Sequence, residues 1–341
     1  MANAQIKEEI WNPLRAFLME CYQLDIDNAK FYFSTQNYAF LFPGHPFMIR
    51  VSMTPKKTRR QILSELLWVD DLKSFKDTIC EPSPSLRGNL LEEIEIDGTL
   101  YRASMFRTAR GHIRDVLEMD PMYFICVGEA LGAIHATSVD ENQQGIHFDR
   151  PTGYDKMLNL INAHRTDLPE NVEGKLDSLM DELHALPKTP ETYGLCHGDF
   201  HSNNYYVEYN NVWLFDFDDC EYEFYLYDIA TALLAPVLTG YKSEKSARAC
   251  LDEDVLPYFR IGYELHMKVG DDFYDKLVLF IRYRLAFSLL MLYDIKSCGM
   301  VKSDELIRYR QAIAGILIAD DFFGEITKFR AFSAQMTKKK K

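Results

Sequence analysis

Apolar residues recur at Ile6, Ile10, Leu14, Phe17 and Leu18, the spacing of one helix face, and predict a helix from Ile6 to Tyr22. The pattern then shortens. Phe31–Phe33, Tyr38–Phe42 and Phe47–Ser52 are brief runs rich in strand formers, with Pro43-Gly-His-Pro46 as a turn between the last two. Helical spacing returns at positions 62, 63, 66, 67, 69 and 72, in a helix that Thr54 caps, Pro55 begins and Phe75 ends. After a loop at Glu81–Ser85, Leu90–Ile96 and Leu100–Phe106 flank Asp97-Gly98, a two-residue hairpin signal. Five strands result, with one helix between the third and fourth.

From Asp120-Pro121 onward the pattern is mainly helical. Phe124, Val127, Leu131 and Ile134 share a face of a helix that ends at His135. Gly128 and Gly132 lie on an adjoining stripe that permits close packing. Tyr205–Tyr209 and Val212–Phe215 read as strands joined at Asn210-Asn211, since Asn tolerates the positive φ of a tight turn. The register expected for that hairpin brings Asn204 beside Asp216 at its open end. No internal repeat is found. The chain reads as two-lobed α+β: residues 1–107 as a small antiparallel sheet lobe, 108–333 as a larger helical lobe hinged near Gly111, and 334–341 as a tail.

Composition narrows the function. With 341 residues the chain can bury a sizeable core, and 47% hydrophobic with 26% charged residues is ordinary for a soluble protein. A net charge of −13 disfavours nucleic acid as a partner; it reads first as solubility and second as a field that favours a cationic ligand. The terminal Lys338–Lys341 run reads as a solvated tail. The start of the chain has no signal pattern. The best candidate for a bilayer span, Leu277–Leu292, is broken by Arg282 and Arg284, so no membrane partner is expected. Seven cysteines, an odd number without Cys-x-x-Cys spacing, point to a reducing cytoplasm and buried thiols, Cys196 among them.

The chemistry concentrates in His197-Gly-Asp199-Phe-His-Ser-Asn-Asn204 and in Asp216-Phe-Asp-Asp219, which follows the apolar run Val212–Phe215. Phosphoryl transfer needs a carboxylate to orient a hydroxyl, and an amide oxygen and a second carboxylate to hold a hard metal ion. The alternative is a silent hairpin with an acidic rim.

Leu195–Asn204, Phe215–Asp219 and Tyr227-Asp228-Ile-Ala230 together resemble the catalytic segments of the aminoglycoside phosphotransferase and choline kinase superfamily, small-molecule kinases with a protein-kinase-like fold. The resemblance is strong from about Tyr193 to Ala235. It implies Asp199 as catalytic base, Asn204 and Asp216 as metal ligands, and structural roles for His197 and Asp228. Asp228 would brace the catalytic loop; as a helix N-cap it would be equally at home. His201 and Asp218 are candidates for substrate or metal contact. Asp219, Glu221 and Glu223 complete an acidic patch, in which Glu221 and Glu223 read as solvated.

The nucleotide side departs from protein kinases. The turn Ser34–Asn37 has no glycine, leaving backbone amides, Ser34 and Asn37 to meet phosphates. Arg50 stands where a lysine is usual and can clamp phosphate in two places. Glu65 is placed to pair with it, and Met105 and Phe106 are candidates for an adenine slot. Gly198 precedes Asp199 where many protein kinases carry arginine, so activity is expected without phosphorylation of the enzyme. The expectation is magnesium-dependent transfer from ATP, or alternatively GTP, to a small hydroxyl acceptor such as an amino alcohol, sugar or hydroxy-amino acid. A Ser/Thr protein kinase and a non-catalytic nucleotide-binding scaffold are the alternatives.

Overall fold

The computed structural model describes residues 6–33, 37–53, 57–72, 77–115, 118–241, 245–294 and 303–338. The chain divides into two compact units. One comprises Met1–Gly111, Phe148–Arg150 and Trp213–Asp218; the other comprises His112–His147, Pro151–Val212 and Asp219–Lys341.

In the first unit, α1 (Glu8–Tyr22) buries Trp11, Leu14, Phe17 and Leu18 in a core shared with Phe40, Ile49, Val51 and Tyr101. These last four come from β2 (Asn37–Leu41), β3 (Phe47–Ser52) and β6 (Thr99–Arg107), which with β1 (Lys30–Phe33), β4 (Pro82–Ser83) and β5 (Glu92–Ile96) form a six-stranded sheet. Its order is β1-β2-β3-β6-β4, with β5 also on β6, and every pairing is antiparallel. The sixth strand is β4, expected to be loop. Two residues give no periodic signal, and its proline is tolerated at the end of the sheet path. Asp97 (φ 49°) and Gly98 (φ 74°) make the β5–β6 hairpin turn.

Helix α2 (Arg59–Leu72) starts later than Thr54-Pro55 suggests; Thr54, Pro55 and the turn residues Ser34–Gln36 lie outside the described residues. Thr58 caps it instead. Its Oγ1 accepts the Gln61 N–H at 3.2 Å, while Gln61 Oε1 accepts the Thr58 N–H at 2.9 Å, a reciprocal capping box.

The second unit is mainly helical. Helix α3 (Pro121–Gln143) is capped by Asp120, which accepts the Tyr123 N–H at 2.8 Å. It runs past His135, where an end was expected, because nothing there breaks the helix. It is long and apolar enough to cross a bilayer, as Leu277–Leu292 is not, but 67% of its apolar window is buried inside the protein. There follow α4 (Gly153–His164), α5 (Glu170–His184), β7 (Tyr193–Cys196), β8 (Tyr205–Glu208), β9 (Asn211–Leu214), β10 (Glu221–Phe224), α6 (Tyr225–Thr239), α7 (Ala247–Ala249), α8 (Leu256–Tyr263), α9 (Phe273–Asp294), α10 (Ser303–Ile318) and α11 (Phe322–Lys338). Helices α3 and α8 touch backbone to backbone. A Cβ on Gly128 would lie 2.1 Å from the Phe259 carbonyl oxygen, and one on Gly262 would lie 1.8 Å from that of Ile125.

Strand β10 pairs antiparallel with β7, setting Glu221 opposite Cys196. Strands β8 and β9 form a hairpin whose turn is Tyr209-Asn210, one residue earlier than expected. Exposed Tyr209 takes the positive φ (55°) that was assigned to asparagine.

Candidate active site

The segment carrying Asp216 is anchored in the first unit. The Leu214 N–H donates to Thr78 O and the Cys80 N–H to Leu214 O, both at 2.9 Å. Phe217 meets Trp68 edge-on at 5.6 Å, and Arg107 and Arg110 stack on Trp213 at 4.9 and 5.2 Å. Asp216 adopts φ 64°, a left-handed conformation that a short polar side chain tolerates.

Beside it, Asp218 gathers the unit's cations. Its carboxylate lies 2.8 Å from Lys57 Nζ and 3.7 Å from Arg50, and accepts from Asn37 Nδ2 at 3.4 Å. Its carbonyl accepts from Lys57 at 2.6 Å and from Arg150 at 2.7 Å. Arg50, on β3, makes a two-pronged contact with the fully buried Glu65 of α2 at 2.8 and 3.0 Å. Its guanidinium sits 4.9 Å above the Phe106 ring. Burial opposes the charge on both Arg50 and Asp218. Glu65, Asp218 and Asp216 nevertheless raise the Arg50 pKa, and Arg50 and Lys57 hold Asp218 well below the usual carboxylate range.

The second unit holds the loop after β7. Gly198 sits at φ 81°, and a Cβ there would lie 2.2 Å from the Asp219 carbonyl oxygen, so glycine is required. The His197 and Gly198 N–H groups donate to the two carboxylate oxygens of Asp228 at 2.7 and 2.9 Å. Asp228 lies inside α6, whose N-cap is Phe224. Asp228 is steadied by His135 Nε2 at 3.4 Å, and the other ring nitrogen of His135 meets Tyr263 Oη at 2.8 Å.

This brace presents Asp199. Its Oδ2 accepts from Asn204 Nδ2 at 3.0 Å and lies 3.1 Å from His201 Nε2; its Oδ1 accepts from Arg284 of α9 at 2.5 Å. His201 Nδ1 accepts the Asn203 N–H at 3.1 Å, which leaves the ring proton on Nε2, pointed at Asp199. Burial works against the Asp199 charge, but His201 and Arg284 hold the carboxyl well below its ordinary range. The Asn204 side chain makes both its loop hydrogen bonds, to Asp199 Oδ2 and to Asp199 O, through Nδ2. Its Oδ1 is a hard neutral oxygen, of the type magnesium takes as a ligand.

Residues 33–256 match the family model described as the phosphotransferase enzyme family. The chain belongs to the phosphotransferase enzyme family. It is 25% identical over 298 residues to amicoumacin kinase of Bacillus subtilis (strain 168), covering 86% of this chain and 88% of that one. The fold is shared with a solved amicoumacin kinase in complex with AMP-PNP, Ca2+ and Ami, at a TM-score of 0.79, 22% identity and coverage of 94% and 98% of the two chains. It is shared also with a microcompartment-associated aminopropanol kinase, at a TM-score of 0.65, 16% identity and coverage of 93% and 99%. The protein is a phosphotransferase with a kinase-like fold.

Two acidic residues of this phosphotransferase, Glu221 and Glu223, stand elsewhere than anticipated. Ser34 lies outside the described residues. Met105 packs against the α1 core, and Phe106 is buried under Arg50. His201 uses both ring nitrogens within its own loop. Glu221 and Glu223, expected in solvent, are 1% and 3% exposed. Glu221 lies 3.1 Å from Lys156 Nζ, which is 3.6 Å from Asp219. Glu223 accepts from the Phe224 N–H and Tyr283 Oη, and burial pushes its pKa up to about 8. His135, Cys196 and Asp228 come within metal-binding distance of one another, but burial raises the Cys196 thiol and Asp228 is occupied by the loop.

Sequence reasoning passed over Lys57, Arg150, Lys156 and Arg284. The first sits in the charged run Lys56–Arg60 and looks like any solvated lysine. Arg284 carried a usable signal: an arginine in an otherwise apolar helix must have a partner.

Proposed function

We propose that this phosphotransferase moves the γ-phosphoryl group of ATP, with magnesium, onto the hydroxyl of a small amino alcohol. The observation that carries the reading is Asp199, a carboxylate fixed by three donors on a loop that Asp228 braces. In this reading Arg50, steadied by Glu65, grips the nucleotide phosphates, and Asn204 and Asp216 hold the metal. The metal supplies neutralisation of β- and γ-phosphate charge.

A carboxylate held so firmly in its charged form is a weak proton acceptor. Its main work is to orient the acceptor hydroxyl, with the proton arriving late, as a loose phosphoryl-transfer transition state allows. The steric demand for glycine at position 198 leaves no arginine there to receive a phosphorylated activation loop, which favours a small-molecule over a regulated protein kinase. ATP is supported by the AMP-PNP in the related kinase complex, and amino alcohols by the amicoumacin and aminopropanol kinases. The net charge of −13 suits a cationic acceptor.

An ATP-consumption screen over aminopropanol, amicoumacin, kanamycin, simple sugars and homoserine, with and without magnesium, tests this. Turnover of an amino alcohol only when magnesium is present is expected. Nucleotide binding with no turnover across the panel contradicts it.

A further inference from the structure

The acceptor side of Asp199 is set by hydrogen-bond arithmetic. An ionised carboxylate oxygen offers about two lone-pair sites. Oδ2 spends both, on Asn204 Nδ2 at 3.0 Å and His201 Nε2 at 3.1 Å. Among the described residues Oδ1 receives one donor, an Arg284 guanidinium nitrogen at 2.5 Å. One lone pair of Oδ1 is therefore left for the acceptor.

Arg284 is itself built in. It is 8% exposed, and its other terminal nitrogen donates to Tyr227 Oη at 3.1 Å. Its guanidinium lies 5.0 Å above the Phe287 ring, on which Lys156 Nζ also stacks at 5.1 Å. An arginine held by a phenol and an aromatic face cannot swing freely, so it fixes the torsion of the carboxylate it grips. Phe287 belongs to α9, the helix of Arg284, and Tyr227 to α6, the helix of Asp228. The support of Asp199 thus comes from rigid elements and not from its loop alone.

We propose that Arg284 is a positioning residue for phosphoryl transfer, holding Asp199 so that Oδ1 faces the acceptor hydroxyl. The hydroxyl proton passes to Oδ1 as the acceptor oxygen bonds to the γ-phosphorus, and the bond from that phosphorus to the β,γ-bridging oxygen breaks to release ADP. Arg284 touches neither substrate; it acts through Asp199. The inference rests on Asp199 as the base.

The test is steady-state kinetics with magnesium ATP and whichever of aminopropanol, amicoumacin or kanamycin the parent phosphorylates fastest, on the full chain. Arg284→Ala should lower kcat by about 10²-fold, the cost of a misplaced reacting group, with KM for magnesium ATP unchanged. Added guanidinium should restore part of the lost rate to Arg284→Ala, and Arg284→Lys should keep an intermediate kcat. Neither effect follows from a structural role. If Arg284→Ala folds poorly, Arg284→Lys alone decides: parental kcat overturns the proposal and reduced kcat at constant KM upholds it. A folded Arg284→Ala with parental kcat, or a loss that guanidinium and lysine both fail to repair, also overturns it. Asp199→Asn run alongside separates the two levels. If it is nearly inactive while Arg284→Ala keeps the parental kcat, only the role of Arg284 falls. If it turns over at the parental rate, the base assignment falls too.

Discussion

Glu223 shows how far burial can move one residue from what its type predicts. It lies on a strand with all four residues buried and keeps its proton to about pH 8, where an ordinary glutamate releases it near 4.5. Between those values the folded chain binds more protons than the unfolded chain. Stability therefore falls as pH rises, by up to about 1.4 kcal/mol per pH unit, and the loss is complete above the folded pKa. Glu223→Gln removes the ionisation but keeps the shape and the acceptor for Tyr283. Its stability relative to the parent should grow from pH 5 to pH 8, as urea unfolding at several pH values would show; a constant difference would mean that Glu223 is ionised in the fold. Glu221-Tyr-Glu223 also explains why the acidic patch was misread. Two charges in an acidic stretch look like solvent, and it is long-range packing that encloses them, Glu221 beside Lys156 of α4 and Glu223 beside Tyr283 of α9. Asp199, Asn204 and Asp216 stood out because each belongs to a short contiguous motif. Arg50's match to Glu65 was likewise legible, since strand and helix are adjacent in sequence. Lys57, Arg150 and Arg284 find their partners 161, 68 and 85 residues away, beyond any local pattern.

At the scale of elements, the periodic segments were the readable ones. The long amphipathic α1, the strands β1 to β3 and the Asp97-Gly98 hairpin fall within a residue or two of expectation. Boundaries set by side-chain caps were harder: Thr54-Pro55 and Thr58-x-x-Gln61 are both good starts, and the described helix follows the second. The β8–β9 turn chose Tyr209 over Asn211 because strand pairing, not turn preference, fixed the register. The Gly128 and Gly132 stripe was correctly read as a packing surface, though its partner was not visible. That partner is α8, whose Gly262 points back at Ile125. Gly262→Ala forces a Cβ within 1.8 Å of a carbonyl oxygen, and backbone cannot yield as a side chain can. It should destabilise by roughly 1–3 kcal/mol or more, as overpacking does. Chemical denaturation measures this, and a variant as stable as the parent would show that α3 and α8 are not in backbone contact.

At the scale of the whole molecule, the residues proposed for phosphoryl transfer belong to two units. The first carries Arg50, Glu65, Asp216 and the cations around Asp218; the second carries Asp199, Asn204 and the brace from Asp228. Each set stands within its own unit on buried ion pairs and backbone hydrogen bonds. Membership of the phosphotransferase family agrees with both halves, and the reaction class was legible because both motifs are contiguous. The acceptor was not, because no motif in the sequence names it. The central claim is that this chemistry turns on one carboxylate, and Asp199→Asn tests it most directly. Asparagine preserves size and one hydrogen-bonding oxygen but takes no proton and pairs poorly with Arg284. With the fastest acceptor from the screen, kcat should fall by about 10²–10⁴-fold while magnesium ATP binds as tightly as to the parent. An Asp199→Asn enzyme turning over at the parental rate would contradict the account.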